Sequence, residues 1–364
     1  MKIFQCQSCG QFVFFENTQC MLCGSTLGYL PDKTLLSVLR PNGDNHWQPV
    51  TTQASEKRYR MCHNYVSQGI CNWMVPVEHE NIWCLSCRLN HTIPDLTLAN
   101  NKKIWFRLEA AKRRMLYGII RLGLPIHSKQ ESPHNGLAFD FLANSAAMFR
   151  EDQTVITGHM QGLITINIAE ADDASREKHR QDMDEPYRTL LGHFRHEIGH
   201  YFWRPLIVDQ QHLDLFRQIF GDERLDYNES MQRYYQHPQA DWQNNFVSRY
   251  ASSHPLEDWA ETWAHYLHII DTLETAAEFG IKVEPPASSA SKLHAELDHD
   301  LYQTEDFDEI VRHWLPLTYA VNSINRSMGQ PDLYPFVLSP AVINKLRWIH
   351  WVIHHHKKVV TNTS

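Results

Sequence analysis

His196, Glu197 and His200 stand in the order H-E-x-x-H inside the stretch Leu191–Trp203. Residues four apart on a helix share one face, so both imidazoles can reach a single metal ion. Glu197, one step round the helix, falls beside a water on that ion, where a carboxylate can act as general base. A metal site that performs chemistry needs a third protein donor and a position left for water.

The third donor lies further along the chain. The metzincin pattern would place Gly three residues and His six residues beyond His200. The chain has Trp203 and Leu206 there, which excludes that class. A carboxylate from a later helix remains, and the stretch from Tyr250 to Tyr266 offers one. Pro255 marks a helix start, and Glu257 and Glu261 fall four apart on one face. Metal sites commonly divide such a pair into one ligand and one acceptor for a ligand histidine's N–H. On that basis Glu257 is assigned as ligand and Glu261 as the supporting acceptor. Asp258 reads as a solvated or capping residue, and Trp259, Trp263 and Tyr266 as the core face. His193 reads as a flanking residue, since two imidazoles and one carboxylate already complete an open site.

All eight cysteines fall within the first 87 residues. Cys6-x2-Cys9 and Cys20-x2-Cys23 are paired knuckles, each followed by a glycine suited to the unusual turn. Phe12–Phe15 supplies the joining strand. Four thiolates close a tetrahedral site and leave no position for chemistry, so this is a structural zinc ribbon. Cys84-x2-Cys87 repeats the knuckle and, with Cys62 and Cys71, makes a second four-cysteine site. The rival reading exchanges one thiol for His63, His79 or His91. With paired spacing and no recognisable signal peptide, zinc in a reducing compartment is favoured over disulfides, and a cytoplasmic location is expected.

Composition narrows the field. The chain has 364 residues and a formal charge of −8, which argues against wholesale nucleic-acid binding. Residues 1 to 98 carry seven Lys or Arg against seven Asp or Glu, so the ribbons do not read as phosphate binders either. No apolar run approaches the roughly 18 residues of a membrane span. The first 95 residues or so are polar enough that bound metal is expected to supply much of their folding energy. Residues 41 to 60 read as a connector.

The elements that must position the site follow. Apolar residues from Ile104 to Leu122 recur at helical spacing, with Lys102, Lys103, Arg107, Lys112, Arg113, Arg114 and Arg121 on a face expected to be solvated. Val155–Thr157 and Leu163–Ala169 read as strands around Gly158 and Gly162, and His159 as a turn residue. Glu170–Glu185 reads as a charged loop, and Pro186 as the start of the helix that bears His196. The second helix is expected to continue through Asp271–Phe279. A loop over Glu284–Ser291 and helices over Phe307–Met328 and Pro340–His355 complete the chain. Trp314, Trp348 and Trp351 are expected to pack, and the His354–His356 run to fray.

Taken together, His196-Glu197-Ile198-Gly199-His200 and Glu257-Asp258-Trp259-Ala260-Glu261 resemble the gluzincin metallopeptidases, whose third ligand is a glutamate on a downstream helix. The detail is similar to the lethal-factor type, including a tyrosine seven residues before the ligand glutamate, here Tyr250. That resemblance supports Glu257 and Glu261 in the roles given and implies that Tyr250 stabilises the oxyanion. Over nearly its full length the chain resembles a bacterial family of zinc-binding metallopeptidases with N-terminal zinc ribbons. It implies an α+β fold, with a predominantly helical zincin-like metallopeptidase domain preceded by a small zinc-ribbon module.

The expected domains are a zinc ribbon over 1–40, a second four-cysteine segment over 41–98, and the peptidase domain over 99–364. The expected cofactor is Zn2+, one catalytic and two structural ions. The expected activity is hydrolysis of a peptide or protein substrate, with Glu197 as base and the strand at 163–169 holding the substrate by β-addition. The competing expectation is a protein-interaction module, its partner bound through the ribbons, on a catalytically silent peptidase-like scaffold.

Overall fold

A computed structural model describes residues 1–51, 56–144, 155, 157–182, 188–286 and 293–362; for 179, 181–182 and 357–362 only the backbone is described. The chain forms two compact units, Met1–His179 and Arg180–Ser364.

In the first unit, β1 (Phe4–Gln5) and β2 (Phe12–Val13) flank the first knuckle and pair antiparallel. Gly10 and Gly24 follow the second thiol of each knuckle at φ 76° and 73°, the left-handed region their positions require. An antiparallel sheet follows in the order β3 (Leu27–Leu30), β4 (Leu35–Pro41), β5 (Trp47–Pro49), β6 (Tyr59–Met61), β7 (Met74–Pro76). The predicted connector at 41–60 carries short strands only at Pro41, Trp47–Pro49 and Tyr59–Arg60, so it links strands of one sheet. Its turn residues form the β4–β5 loop, closed where the Asn42 N–H donates to the His46 carbonyl at 2.9 Å.

The expectation of a small core in this segment is also corrected. Phe15, Tyr29, Trp73 and Tyr117 are fully buried and meet edge to face or tilted, the Phe15 and Tyr29 rings 4.7 Å apart. Aromatic area of this kind stabilises the unit alongside any metal. Tyr117 lies on α2 (Asn101–Arg121), which forms where predicted and buries Leu108, Ala111, Met115 and Ile119.

The basic face of α2 departs from expectation at two positions. Lys112 and Arg113 are buried, not solvated. Lys112 Nζ donates to Glu109 Oε1 at 2.9 Å and to Asn90, and Arg113 donates to the Ile70 carbonyl at 2.9 Å. Two cations inside a helix are tolerable only because a buried carboxylate and carbonyls receive them. Spacing alone placed them on the wet side.

A second sheet runs β10 (Gly158–Met160), β11 (Leu163–Asn167), β9 (Ala138–Leu142), β8 (Asn90–Thr92), with β9 parallel to both β8 and β11. Ile164 and Ile166 are buried as the alternation predicted. The strand ends sooner, because the Asn167 side chain accepts the Ala169 N–H at 3.0 Å and turns the chain into a single 3-10 turn. The β-addition expected at 163–169 is ruled out, since both edges of β11 are already paired. Its antiparallel partner comes three residues later than Val155–Thr157; Ile156 lies outside the described residues. His159 lies in β10 rather than in the turn, and its Nε2 accepts the Gly162 N–H at 2.9 Å across that turn. The charged loop of 170–185 contains α3 (Asp173–Asp182), begun by Asp172 capping the Ser175 N–H. The helix start assigned to Pro186 lies outside the described residues.

The second unit is helical: α4 (Leu190–Leu206), α5 (Gln210–Phe220), α6 (Tyr227–Gln236), α7 (Pro255–Glu278), α8 (Phe307–Ser327) and α9 (Pro340–Asn362), with a short hairpin of β12 (Lys282–Val283) and β13 (Ala295–Glu296). Trp259, Trp263, Phe202, Phe216, Phe220 and Trp348 form its aromatic centre. Trp314 and Trp348 are buried, but Trp351 is exposed and stacks on His355. The His354–His356 run is helical, not frayed. Asp258 is neither solvated nor a cap. It is fully buried, receiving Lys345 Nζ at 2.6 Å.

Candidate metal centre

α4 and α7 lie side by side and run antiparallel: Arg195 meets Asp271, His196 meets Glu261, and His200 meets Glu257. Each start is fixed locally. The Thr189 hydroxyl accepts the Gly192 N–H at 3.0 Å at the head of α4. At the head of α7, His254 Nδ1 accepts the Leu256 N–H at 3.1 Å, and Pro255 fills the first turn.

The crossing is close because residue 199 is glycine. A Cβ there would sit 3.1 Å from three atoms of the buried Trp263 side chain. The Gly199 carbonyl meanwhile accepts from Trp259 Nε1 at 2.8 Å. The glycine inside His196–His200 therefore lets the two helices approach far enough for their polar side chains to share one site.

The three expected donors converge. His196 Nε2 is 3.2 Å from His200 Nε2 and 3.0 Å from Glu257 Oε2, and His200 Nε2 is 3.5 Å from the same oxygen. Ligands about 2.0–2.1 Å from a tetrahedral zinc ion are separated by about 3.3 Å, so this spacing suits such an ion. The general-base candidate also fits. Glu197 is buried, and its Oε2 has no hydrogen-bond partner among the described residues. Burial pushes its carboxyl up from the ordinary value, with His196 and His200 pulling the other way.

Glu261 Oε1 is 2.7 Å from His196 Nδ1, and its other oxygen receives the Ser248 hydroxyl at 2.6 Å. Although burial opposes ionisation, the His196 and Ser248 hydrogen bonds hold Glu261 down to about 2. Burial also opposes charge on Glu257, yet His200 and His196 keep it well below the carboxylate range.

Tyr250 is placed beside His196, ring centroids 6.0 Å apart, with burial and Glu257 raising its hydroxyl well above the usual range. Tyr227, which sequence reasoning missed, donates from its hydroxyl to Glu257 Oε1 at 3.1 Å. Ser248 was missed too. Neither belongs to a spacing pattern, because both reach the site from segments outside α4 and α7.

The cysteines gather as expected into two groups, Cys6, Cys9, Cys20, Cys23 and Cys62, Cys71, Cys84, Cys87. Sulfurs are 3.6 Å apart for Cys6 and Cys23, 3.7 Å for Cys9 and Cys20, and 3.6 Å for Cys71 and Cys84. A disulfide would need about 2.05 Å, whereas thiolates about 2.3 Å from a tetrahedral zinc stand about 3.8 Å apart. Among the described residues the second group contains four thiols and no imidazole: His63 packs on Trp83, and His91 bonds Asp140 at 2.8 Å. Beside it, Arg113 is held protonated against burial by the charges of Cys71 and Glu109.

Residues 101–352 match the model of a family described as "Putative zinc-binding metallo-peptidase", and residues 3–98 match a zinc-ribbon domain. Proteins of Mycobacterium bovis and Mycobacterium tuberculosis, each described as an uncharacterized protein, are 42% identical over 356 residues, covering 97% of this chain and 95% of theirs. No solved structure matches.

Proposed function

The chain belongs to this zinc-binding metallo-peptidase family, and from that premise we propose that it hydrolyses peptide bonds by the gluzincin mechanism. The observation that carries this reading is the convergence of His196, His200 and Glu257 on one point, with the unpartnered Glu197 oxygen in the same site.

In this reading His196, His200 and Glu257 hold the catalytic zinc. When bound, zinc supplies Lewis acidity, lowering the pKa of a coordinated water to about 7 and polarising a carbonyl. Glu197 Oε2 takes the proton from the attacking water and hands it to the leaving nitrogen, a role helped by its raised pKa. The Tyr250 hydroxyl donates to the carbonyl oxygen as negative charge develops there. Glu261 holds the His196 ring in place.

The two thiol groups would hold structural zinc, and the peptidase domain would span 99–364. Eight free thiols support residence in a reducing compartment such as the cytoplasm. No helix among the described residues is long and apolar enough to cross a membrane. Phe12, Phe14, Met21 and Leu22 are exposed on the ribbon, which supports a protein partner there, the feature the silent-scaffold reading would rest on.

Cleavage profiling on an unbiased peptide mixture, wild type against Glu197→Gln, tests the enzyme reading. Cleavage by wild type with none by a zinc-loaded Glu197→Gln protein is expected; equal cleavage by both would overturn it.

A further inference from the structure

We propose that Tyr227 is a positioning residue of the metal centre, holding Glu257 to one donor oxygen. This rests on the zinc-site reading above. Glu257 has two oxygens with different tasks. Oε2 faces His196 and His200, while Oε1 receives the Tyr227 hydroxyl at 3.1 Å. A carboxylate whose second oxygen is committed to a phenol presents one oxygen to a metal. That keeps the ligand count low and leaves room for water and substrate.

Tyr227 is partly exposed, yet it is seated by its neighbours. It opens α6, whose cap is Asp226 receiving the Glu229 N–H at 2.8 Å. Two residues earlier, the Leu225 carbonyl accepts from His254 Nε2 at 3.0 Å, and the other nitrogen of that ring caps α7. The Tyr227 ring packs on His254 at 5.4 Å. The heads of α6 and α7 are thus tied by the histidine that starts the ligand helix.

The test uses the full chain with zinc left in the thiol sites and cobalt loaded at the His/Glu site. Tyr227→Phe keeps the ring and removes the hydroxyl; Tyr235→Phe, exposed on the same helix, is the control. Expected for Tyr227→Phe are a zinc affinity lowered roughly 10- to 100-fold and weaker cobalt absorption, as Glu257 engages through both oxygens. Tyr250→Phe is expected to lose hydrolysis with wild-type affinity and spectrum. Metal-free melting unchanged in Tyr227→Phe ties its loss to the centre, not to folding. Wild-type affinity and spectrum in Tyr227→Phe overturn the proposal while leaving the zinc site standing. A wild type that takes no cobalt at the His/Glu site overturns the site reading and the proposal together.

Discussion

Glu261 stands 2.7 Å from Nδ1 of His196, on the side of the ring away from Glu257. An ionised carboxylate can only accept, so Nδ1 carries the proton and Nε2 presents its lone pair to the shared point. The ring's tautomer and tilt are therefore chosen by a residue that is not itself a ligand. Glu261→Ala removes that acceptor, and zinc affinity should fall roughly 10- to 100-fold. Chelator competition measures this, and an unchanged affinity would show that His196 orients itself.

Gly199→Ala should loosen the pair of helices. The added methyl meets Trp263, which cannot yield because it is fully buried and stacked on Phe202 at 5.5 Å. Overpacking of this kind costs about 1–3 kcal/mol, while alanine's helix propensity returns about 1 kcal/mol. A lower melting temperature together with weaker zinc retention is expected. A variant as stable and as well metallated as wild type would show that the crossing has slack.

His265 gives the second unit a pH dependence of known sign. Burial pushes its pKa from 6.5 down to about 4. The neutral ring is favoured in the folded state, so its stabilisation is complete above the unfolded value and is lost as pH falls through 4. The gap corresponds to about 3 kcal/mol. Denaturation of wild type and His265→Gln between pH 7 and 4 should show their stability difference shrinking as acid is added. A constant difference would mean that the ring is already charged or is not desolvated.

The two thiol sites should differ in reactivity. Cys9 and Cys23 are exposed, whereas Cys62, Cys71, Cys84 and Cys87 are all buried. A mercurial reagent should release zinc in two phases, the first from the ribbon and the second at the rate of local opening. A single fast phase would contradict the burial of the second group.

Much of this arrangement was legible in spacing. The His196–His200 and Glu257–Glu261 pairs are fixed by helical periodicity, and the knuckles by their glycines. What escaped reading comes from contacts between distant segments. Nothing near Tyr227 or Ser248 marks either as reaching α7, and Lys345 stands 87 positions from the Asp258 it neutralises. Lys112 and Arg113 look like wet-face residues until the backbone at Ile70 and the side chains of Asn90 and Glu109 are placed around them. The β-addition site failed for a related reason, since alternation identifies a strand but not how many neighbours it has.

The complete burial of the Cys62–Cys87 group has a consequence for the protein's history in the cell. An ion enclosed there cannot exchange without opening the surrounding structure, so its residence time is tied to the lifetime of the fold. In a culture moved to isotopically labelled zinc, ribbon and helical sites of old molecules should equilibrate with the new metal. The buried site should carry the label only in chains made after the shift, making it a record of when each molecule was synthesised.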